Sequence, residues 1–310
     1  MADLSFEEVK LTMPSGQIIA GKWYGNKSIR PILCLHGRED NAGTFDRLIP
    51  MLSDNFSYLA IDFPGHGRSS WIPNGRQYKI FDYLFVVDFL FKYYKWDKLS
   101  ILAHSMGARV GFTYASLYPK RVDLLISIDV LNPAVLGTKS IKRLLNEGFE
   151  RSLKNDMMNQ ESTEPPSYTF DEMIEKIHKG TMKSVTRETA HHLLERNIQP
   201  SKKYPGKFYF SRDRRIQSTF QIYIPLETQL GLAENLKMPF LYLKVTNSSY
   251  AKPQRDKNEA EAIKVLEKHP HFKYCVIESD SHHVHLTEPE KIYVIINEFL
   301  GKHRRVKSQL

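Results

Sequence analysis

Apolar positions along the chain follow two rhythms. Residues 4–11 and 17–24 are short β-prone runs flanking Pro14, Ser15 and Gly16. That is turn chemistry, because proline fixes φ and glycine permits a positive φ, so an N-terminal hairpin is expected. Ile32, Leu33, Cys34 and Leu35 form an unbroken apolar run ending at His36 and Gly37, the pattern of a strand buried on both faces of a parallel sheet. Residues 44–53 follow as a helix candidate. The alternation then repeats: strand 58–61, amphipathic helix 80–95, strand 99–102, helix 106–118 closed by Pro119, and strand 124–128. Repeated strand and helix units imply a mostly parallel central sheet with helices on both faces and right-handed crossovers. In such sheets the loops at the strand C-termini carry the chemistry.

Between residues 137 and 236 the strand rhythm stops. Helix-like segments at 140–153, 170–183 and 186–197 are joined by polar or proline-containing stretches such as Glu164, Pro165, Pro166. The sheet pattern resumes with strand 240–245, helix 256–268, strand 272–277 and helix 289–300. The expected organisation is therefore an α/β core of residues 1–136 and 237–310, with a helical cap, 137–236, inserted at the catalytic edge. No internal repeat is present.

Composition narrows the class. A chain of 310 residues with 41% hydrophobic and 25% charged residues is an ordinary globular protein of enzyme size, which excludes low-complexity and collagen-like readings. The net charge of +9 invites a nucleic-acid or membrane partner, but basic residues are interleaved with acids except for the run from Lys302 to Lys307. With no nucleic-acid-binding signature, no such partner is expected. Cys34 and Cys275 both sit in apolar runs and read as reduced, packed thiols. The N-terminus lacks a secretory pattern, and Asp88 breaks the greasiest stretch, 83–91, so no membrane span and a cytoplasmic location are expected.

The strongest chemical signal is Ala103-His104-Ser105-Met106-Gly107 between a strand and a helix. A sharp strand-to-helix turn strains the backbone at its serine and tolerates only small neighbours two residues away. It lifts the hydroxyl to the sheet edge and aims the Met106 amide, at a helix N-terminus, into the same space. The turn after the earlier strand, Leu35-His36-Gly37-Arg38, is in position to offer a second oxyanion donor, the Arg38 amide. His66, in a loop rich in glycine and proline, reads as structural. His282, His283 and His285 cluster late in the chain. Zinc is not expected there, because cysteine and acid ligands at metal spacing are missing, and no cofactor is expected.

Leu35-His36-Gly37, Asp62-Phe63-Pro64-Gly65-His66-Gly67-Arg68-Ser69, His104-Ser105-Met106-Gly107 and Ser281-His282 before Glu288-Pro289-Glu290, in that order, resemble the α/β-hydrolase superfamily over nearly the whole chain. His36-Gly37 followed by Asp40-Asn41-Ala42-Gly43-Thr44-Phe45-Asp46-Arg47-Leu48-Ile49-Pro50, together with Phe210-Ser211-Arg212-Asp213, is similar to the animal serine-hydrolase-like proteins. The resemblance implies the α/β-hydrolase fold and a nucleophile, acid, base order of Ser105, an acid, and a late histidine. His282 matches the superfamily's histidine register, with His283 the runner-up and His285 lining the loop or packing. Residues 246–249, after the strand where many relatives carry the acid, hold no carboxylate. Asp129, after strand 124–128, is similar to the alternative acid position of haloalkane dehalogenases, with Asp256 and Asp280 as lesser candidates. Serine rather than aspartate at 105 argues against dehalogenase or epoxide hydrolase chemistry.

The expected function is a serine hydrolase acting on a carboxylic ester, thioester or related acyl bond of a small molecule. The rival is a non-catalytic binding protein of the same fold. Expected substrate contacts are His36, His104, Phe210, Arg212 and Tyr223, with Phe208, Tyr209, Phe220 and Tyr242 adding aromatic surface, and Arg214 and Arg215 candidates for an anionic group. The chain ends Ser308-Gln309-Leu310, which resembles the S-K-L peroxisomal address with Gln where Lys belongs. That sets a peroxisomal import receptor against a disordered basic tail as readings of the C-terminus.

Overall fold

Strands rich in Ile, Leu and Val and helices with one apolar face assemble into two helical layers around one large sheet. The computed structural model describes residues 5–132, 138–160, 164–218, 224–248 and 253–304. Its elements are β1 (Phe6–Thr12), β2 (Ile18–Tyr24), β3 (Ile32–Leu35), β4 (Tyr58–Ile61), α1 (Ile80–Tyr93), β5 (Leu99–His104), α2 (Met106–Leu117), β6 (Val122–Ile128), α3 (Thr138–Gln160), α4 (Phe170–Gly180), α5 (Ala190–Asn197), β7 (Ile198–Pro200), β8 (Phe208–Phe210), α6 (Leu226–Glu234), β9 (Phe240–Val245), α7 (Pro253–Leu266), β10 (Phe272–Ile277), the single turn α8 (Val284–Thr287) and α9 (Tyr293–His303).

Eight strands form one sheet in the order β1-β2-β4-β3-β5-β6-β9-β10. All neighbours pair in parallel except β2, which runs antiparallel to β1 and β4. The chain leaves β3 toward β4 and then crosses back to β5 on the other side of β3. The strand C-termini of β3 and β5 therefore flank a topological switch point, where open α/β sheets form their crevice. Side chains alternate cleanly across the sheet. Leu33, Leu35, Ile101, Ala103 and Leu125 pack with residues of α1, α2, α6 and α7, whereas Ile32, Cys34, Leu102, Ile126 and Leu243 pack with the 42–52 segment and α9. Both faces are buried, which is why these strands read as continuous apolar runs.

Several elements differ from the expectation. Residues 44–53 are two tight turns, Ala42–Phe45 and Ile49–Met51, rather than one helix. Pro50 has no N–H to give a helix interior and its ring would meet the preceding turn, while the Asn41 side chain caps the first turn by accepting from the Gly43 amide at 2.9 Å. The stretch between β6 and β9 is not purely helical. β7 and β8 pair antiparallel there, through Ile198 with Phe210 and Pro200 with Phe208. Its helices α4 and α5 build a small separate core of Met173, Ile177, Val185, Ala190, Leu193 and Leu194, which also takes in Leu286 from the histidine loop. α6 packs differently: Ala233 and the following Leu236 and Met238 belong to the main core. Among the described residues no helix is long and apolar enough to cross a membrane.

Buried ion pairs fasten the inserted segment to the sheet. Asp62, at the C-terminal end of β4, receives the Ala42 and Arg68 amides at 2.8 and 2.9 Å. It also receives the guanidinium of Arg196, from α5, at 2.7 Å, and both side chains are fully buried. Arg196 reaches on to Glu8 in β1 at 2.8 and 2.9 Å. Gly67 stands at φ +51 with the place of a Cβ 2.4 Å from the Asp62 carboxyl, so the Asp62-to-Ser69 motif is a wrapping of backbone around this carboxylate.

Candidate active site

The turn from β5 into α2 puts Ser105 at φ 52 and ψ −111, a left-handed conformation that a non-glycine residue holds only where its surroundings fix it. They do so here from both sides. The Ser105 amide bonds the Ile128 carbonyl at 3.2 Å, and the Gly107 amide bonds the His36 carbonyl at 3.1 Å. A Cβ on Gly107 would lie 2.2 Å from the Leu35 carbonyl oxygen, so only glycine lets α2 begin this close to β3. Ala103, at the first glycine position of a G-x-S-x-G elbow, is fully buried.

Three expected residues from distant parts of the chain form one hydrogen-bonded series. Ser105 Oγ lies 2.8 Å from His282 Nε2, and His282 Nδ1 bonds the Asp129 carboxylate. A carboxylate only accepts, so Nδ1 carries the ring proton and Nε2 is left to accept from the serine hydroxyl. Asp129, itself at φ 57, is anchored by its backbone amide to the Leu243 carbonyl at 2.8 Å. Its oxygens also accept the Val245 amide at 3.2 Å and the Ser248 hydroxyl at 2.7 Å. Asp129 and His282 are buried at 1% and 2% exposure, so the series is shielded from water except at the serine. The loop after β9 lacks a carboxylate but supplies Ser248, a hydroxyl that orients the carboxylate coming from β6. Ser248 gave no signal in the sequence, because serine in a loop is ordinary.

The other acid candidates lie elsewhere. Asp256 pairs with Lys244 at 2.8 Å on the outer part of the sheet, and Asp280 is exposed. His283, the runner-up base, turns away from Ser105 toward Asp40 at 3.2 Å and the Ser184 hydroxyl at 2.7 Å. His285 is fully buried against Thr44 at 2.8 Å and does not line the cavity. Burial drives its pKa far down, with the neighbouring His104 adding to the effect.

A cavity of about 180 Å³ opens over the serine, lined by Gly37, Arg38, Asp40, His104, Ser105 and Met106, with Lys176 and Arg212 from the insertion. Arg38 and Met106 thus border the same space as the serine hydroxyl, while Gly107 spends its amide on His36. Expected substrate contacts fare unevenly. His104 and Arg212 line the cavity, and Arg212 pairs with Glu39 at 2.9 Å while its guanidinium covers the Phe210 ring at 4.7 Å.

His36 does not line it. It is fully buried, donates from Nδ1 to the Gly37 carbonyl at 2.6 Å and accepts the Phe63 amide at Nε2 at 2.9 Å, so both nitrogens hold loops together. Phe210 faces a neighbouring groove with Trp71 and Tyr209 rather than this cavity. Among the described residues no Phe, Tyr or Trp lines this cavity: Phe208 packs in the core formed with α4 and α5, and Tyr242 is buried in the sheet against Glu259. Tyr223 and Phe220 lie outside the described residues, as does Ser308-Gln309-Leu310. Arg215 is buried on Asp213 at 2.6 Å and is structural. His66 is also buried and structural, donating to the Pro64 carbonyl at 3.0 Å.

Asp40 has no counterpart among the expected site residues. Burial would raise its carboxyl pKa, but the His283 imidazole beside it acts against burial, and the carboxyl stays well below the usual range.

Residues 30–151 match the model of the alpha/beta hydrolase fold. The chain is 32% identical over 298 residues to the Drosophila melanogaster protein named "Probable serine hydrolase", covering 96% of this chain and 88% of that one. It is 29% identical over 314 residues to serine hydrolase-like protein 2 of Homo sapiens, covering 98% and 96%. Its fold superposes on the crystal structure of a hypothetical protein from Pseudomonas aeruginosa PAO1 with a TM-score of 0.80 at 26% identity, covering 95% of this chain and 99% of that one. The strained serine turn, the sheet order and these likenesses agree: the chain belongs to the alpha/beta hydrolase superfamily, among its serine hydrolase-like proteins.

Proposed function

We propose that the protein hydrolyses an acyl bond, an ester or thioester of a small molecule, through an acyl-enzyme on Ser105. The observation that carries the reading is the series Ser105–His282–Asp129, with its proton order fixed by the carboxylate. His282 Nε2 takes the hydroxyl proton as Oγ attacks the acyl carbon, and Asp129 keeps the imidazole in its tautomer and stabilises the imidazolium. The Arg38 and Met106 amides hold the oxyanion. The proton then passes to the leaving group, and water repeats the attack on the acyl-enzyme with His282 as base.

The cavity supports a refinement of substrate class. Its lining brings together Arg38, Arg109, Lys176 and Arg212 against Glu39 and Asp40, and among the described residues includes no Phe, Tyr or Trp. This favours a compact acyl group on a substrate that also bears an anionic group. Steady-state kinetics on paired thioesters, one neutral and one carboxylated in the acyl part, test it. The carboxylated substrate is expected to show the higher kcat/KM, with the advantage shrinking in Lys176→Gln and at high salt. Equal kcat/KM for the two overturns the refinement, and no turnover of either by Ser105-intact protein across an ester and thioester panel overturns the hydrolase reading.

A further inference from the structure

Beside the serine, and separate from the Ser105–His282–Asp129 series, three buried ligating side chains converge on one wall of the cavity. Asp40 follows β3, His104 ends β5, and His283 opens the turn into α8. One ligand atom from each lies within 4.8 Å of those of the other two. Asp40 Oδ1 stands 3.2 Å from His283 Nε2, and its other oxygen, Oδ2, stands 3.4 Å from His104 Nδ1. Neighbouring ligands of a tetrahedral zinc ion are about 3.3 Å apart.

Two atoms of this cluster lack hydrogen-bond partners. His104 Nε2 faces the carbonyl of His282 at 2.9 Å, and a carbonyl only accepts, so Nε2 carries the ring proton. His104 Nδ1 is then a bare lone pair pointing at a bare carboxylate oxygen, Asp40 Oδ2. Neither atom has a hydrogen-bond partner, in residues only 0% and 2% exposed. Two buried acceptors facing each other call for something positive between them.

The second partners are already those a metal-bound histidine uses. His104 donates to a backbone carbonyl through its far nitrogen, and His283 Nδ1 meets the Ser184 hydroxyl at 2.7 Å, a group that accepts or donates by rotating. Gly37 keeps the space: a Cβ there would lie 2.7 Å from Asp40 Oδ2 and 2.8 Å from His104 Nδ1. All three ligands line the cavity that Ser105 also lines.

We propose that Asp40, His104 and His283 form a site for a divalent transition cation of the zinc class, and that an ion held there inhibits reaction at Ser105. The sequence offers the late histidines no cysteine or acid ligand at metal spacing; folding brings Asp40 to them from the other end of the chain. The inhibition follows from position. His104 and His282 have ring centroids 4.6 Å apart, so a dication on His104 opposes the positive charge His282 must take up when it accepts the serine proton. This second half rests on the hydrolase reading; the site does not.

Equilibrium dialysis of untagged, chelator-washed full-length protein against Zn²⁺ alone tests the site whether or not Ser105 reacts. The expected result is one equivalent bound at micromolar free zinc by wild type and by Ser105→Ala. Asp40→Asn and His283→Gln, each first shown to melt cooperatively, are expected to bind at least about 100-fold more weakly. If Asp40→Asn does not fold, His283→Gln decides, together with loss of the visible bands of bound Co²⁺. Absence of a micromolar equivalent in wild type, or equal affinity in wild type and the folded ligand variants, overturns the site. Zinc is also expected to slow fluorophosphonate labelling of Ser105 reversibly in wild type and much less in His283→Gln; equal slowing in both overturns the inhibition.

Discussion

Asp129 and Gly107 show how single side chains set this site. Asp129 reaches His282 from the strand beside the serine strand, held by Val245 and Ser248. Asp129→Asn retains the shape but lets the amide donate to His282 Nδ1, which favours the wrong tautomer. Turnover is expected to fall on the order of 10⁴-fold with the melting temperature little changed, read by kcat on the best ester and by calorimetry. Gly107→Ala places a methyl against the Leu35 carbonyl, a backbone atom that cannot swing aside. It is expected to cost about 1–3 kcal/mol in urea unfolding and to lower kcat through displacement of the Met106 amide. Of these residues, Ser105, Gly107 and His282 were legible from local pattern and family resemblance, because the elbow imposes size limits on near neighbours. Ser248 and Asp40 were not: a loop serine has no distinctive signature, and Asp40 is 243 residues from the histidine it meets.

At the scale of elements, the inserted segment is clamped by charge as much as by its own core. Arg196 of α5 is buried on Asp62 of the sheet and bridges to Glu8 of β1. Removing one member of a buried pair strands the other, so Arg196→Met is expected to destabilise the protein by about 3–5 kcal/mol. The Asp62→Asn, Arg196→Met double variant is expected to recover part of that loss, because no buried charge is left alone. Urea midpoints of the four proteins in the cycle check this; additive losses contradict it. The sheet elements were readable because both faces are buried and the apolar runs are continuous. The 44–53 segment misled because its apolar spacing is helical while Pro50 forbids the helix, and the three-residue strands β7 and β8 are too short to show a period.

For the molecule as a whole, the sheet edge is unusually rich in buried imidazoles. His36, His66 and His285 are each held neutral, their pKa values pushed down by burial first and foremost. Below the ordinary histidine value the unfolded chain binds protons that the folded one refuses. Their stabilising contribution is thus complete above about pH 6.5 and is lost progressively as the pH falls toward the depressed folded values. Unfolding free energy is expected to drop as the pH is lowered from about 6.5 to 5, and His66→Gln to reduce that slope by up to about 1.4 kcal/mol per pH unit. Denaturant titrations across this range decide it; a flat profile contradicts the buried neutral state. The order of motifs made this architecture legible in outline. The histidine cluster was legible only as a sequence neighbourhood, since its acid arrives through the β3–β5 switch point.

The central claim is that Ser105 is an activated nucleophile served by His282. Covalent labelling of the purified protein by a fluorophosphonate, with Ser105→Ala and His282→Ala alongside, tests it most directly, because phosphonylation requires a nucleophilic hydroxyl and a base to take its proton. Labelling of wild type with loss of label in both variants is the predicted result. An unlabelled wild type that melts cooperatively, or undiminished labelling of Ser105→Ala, would contradict it.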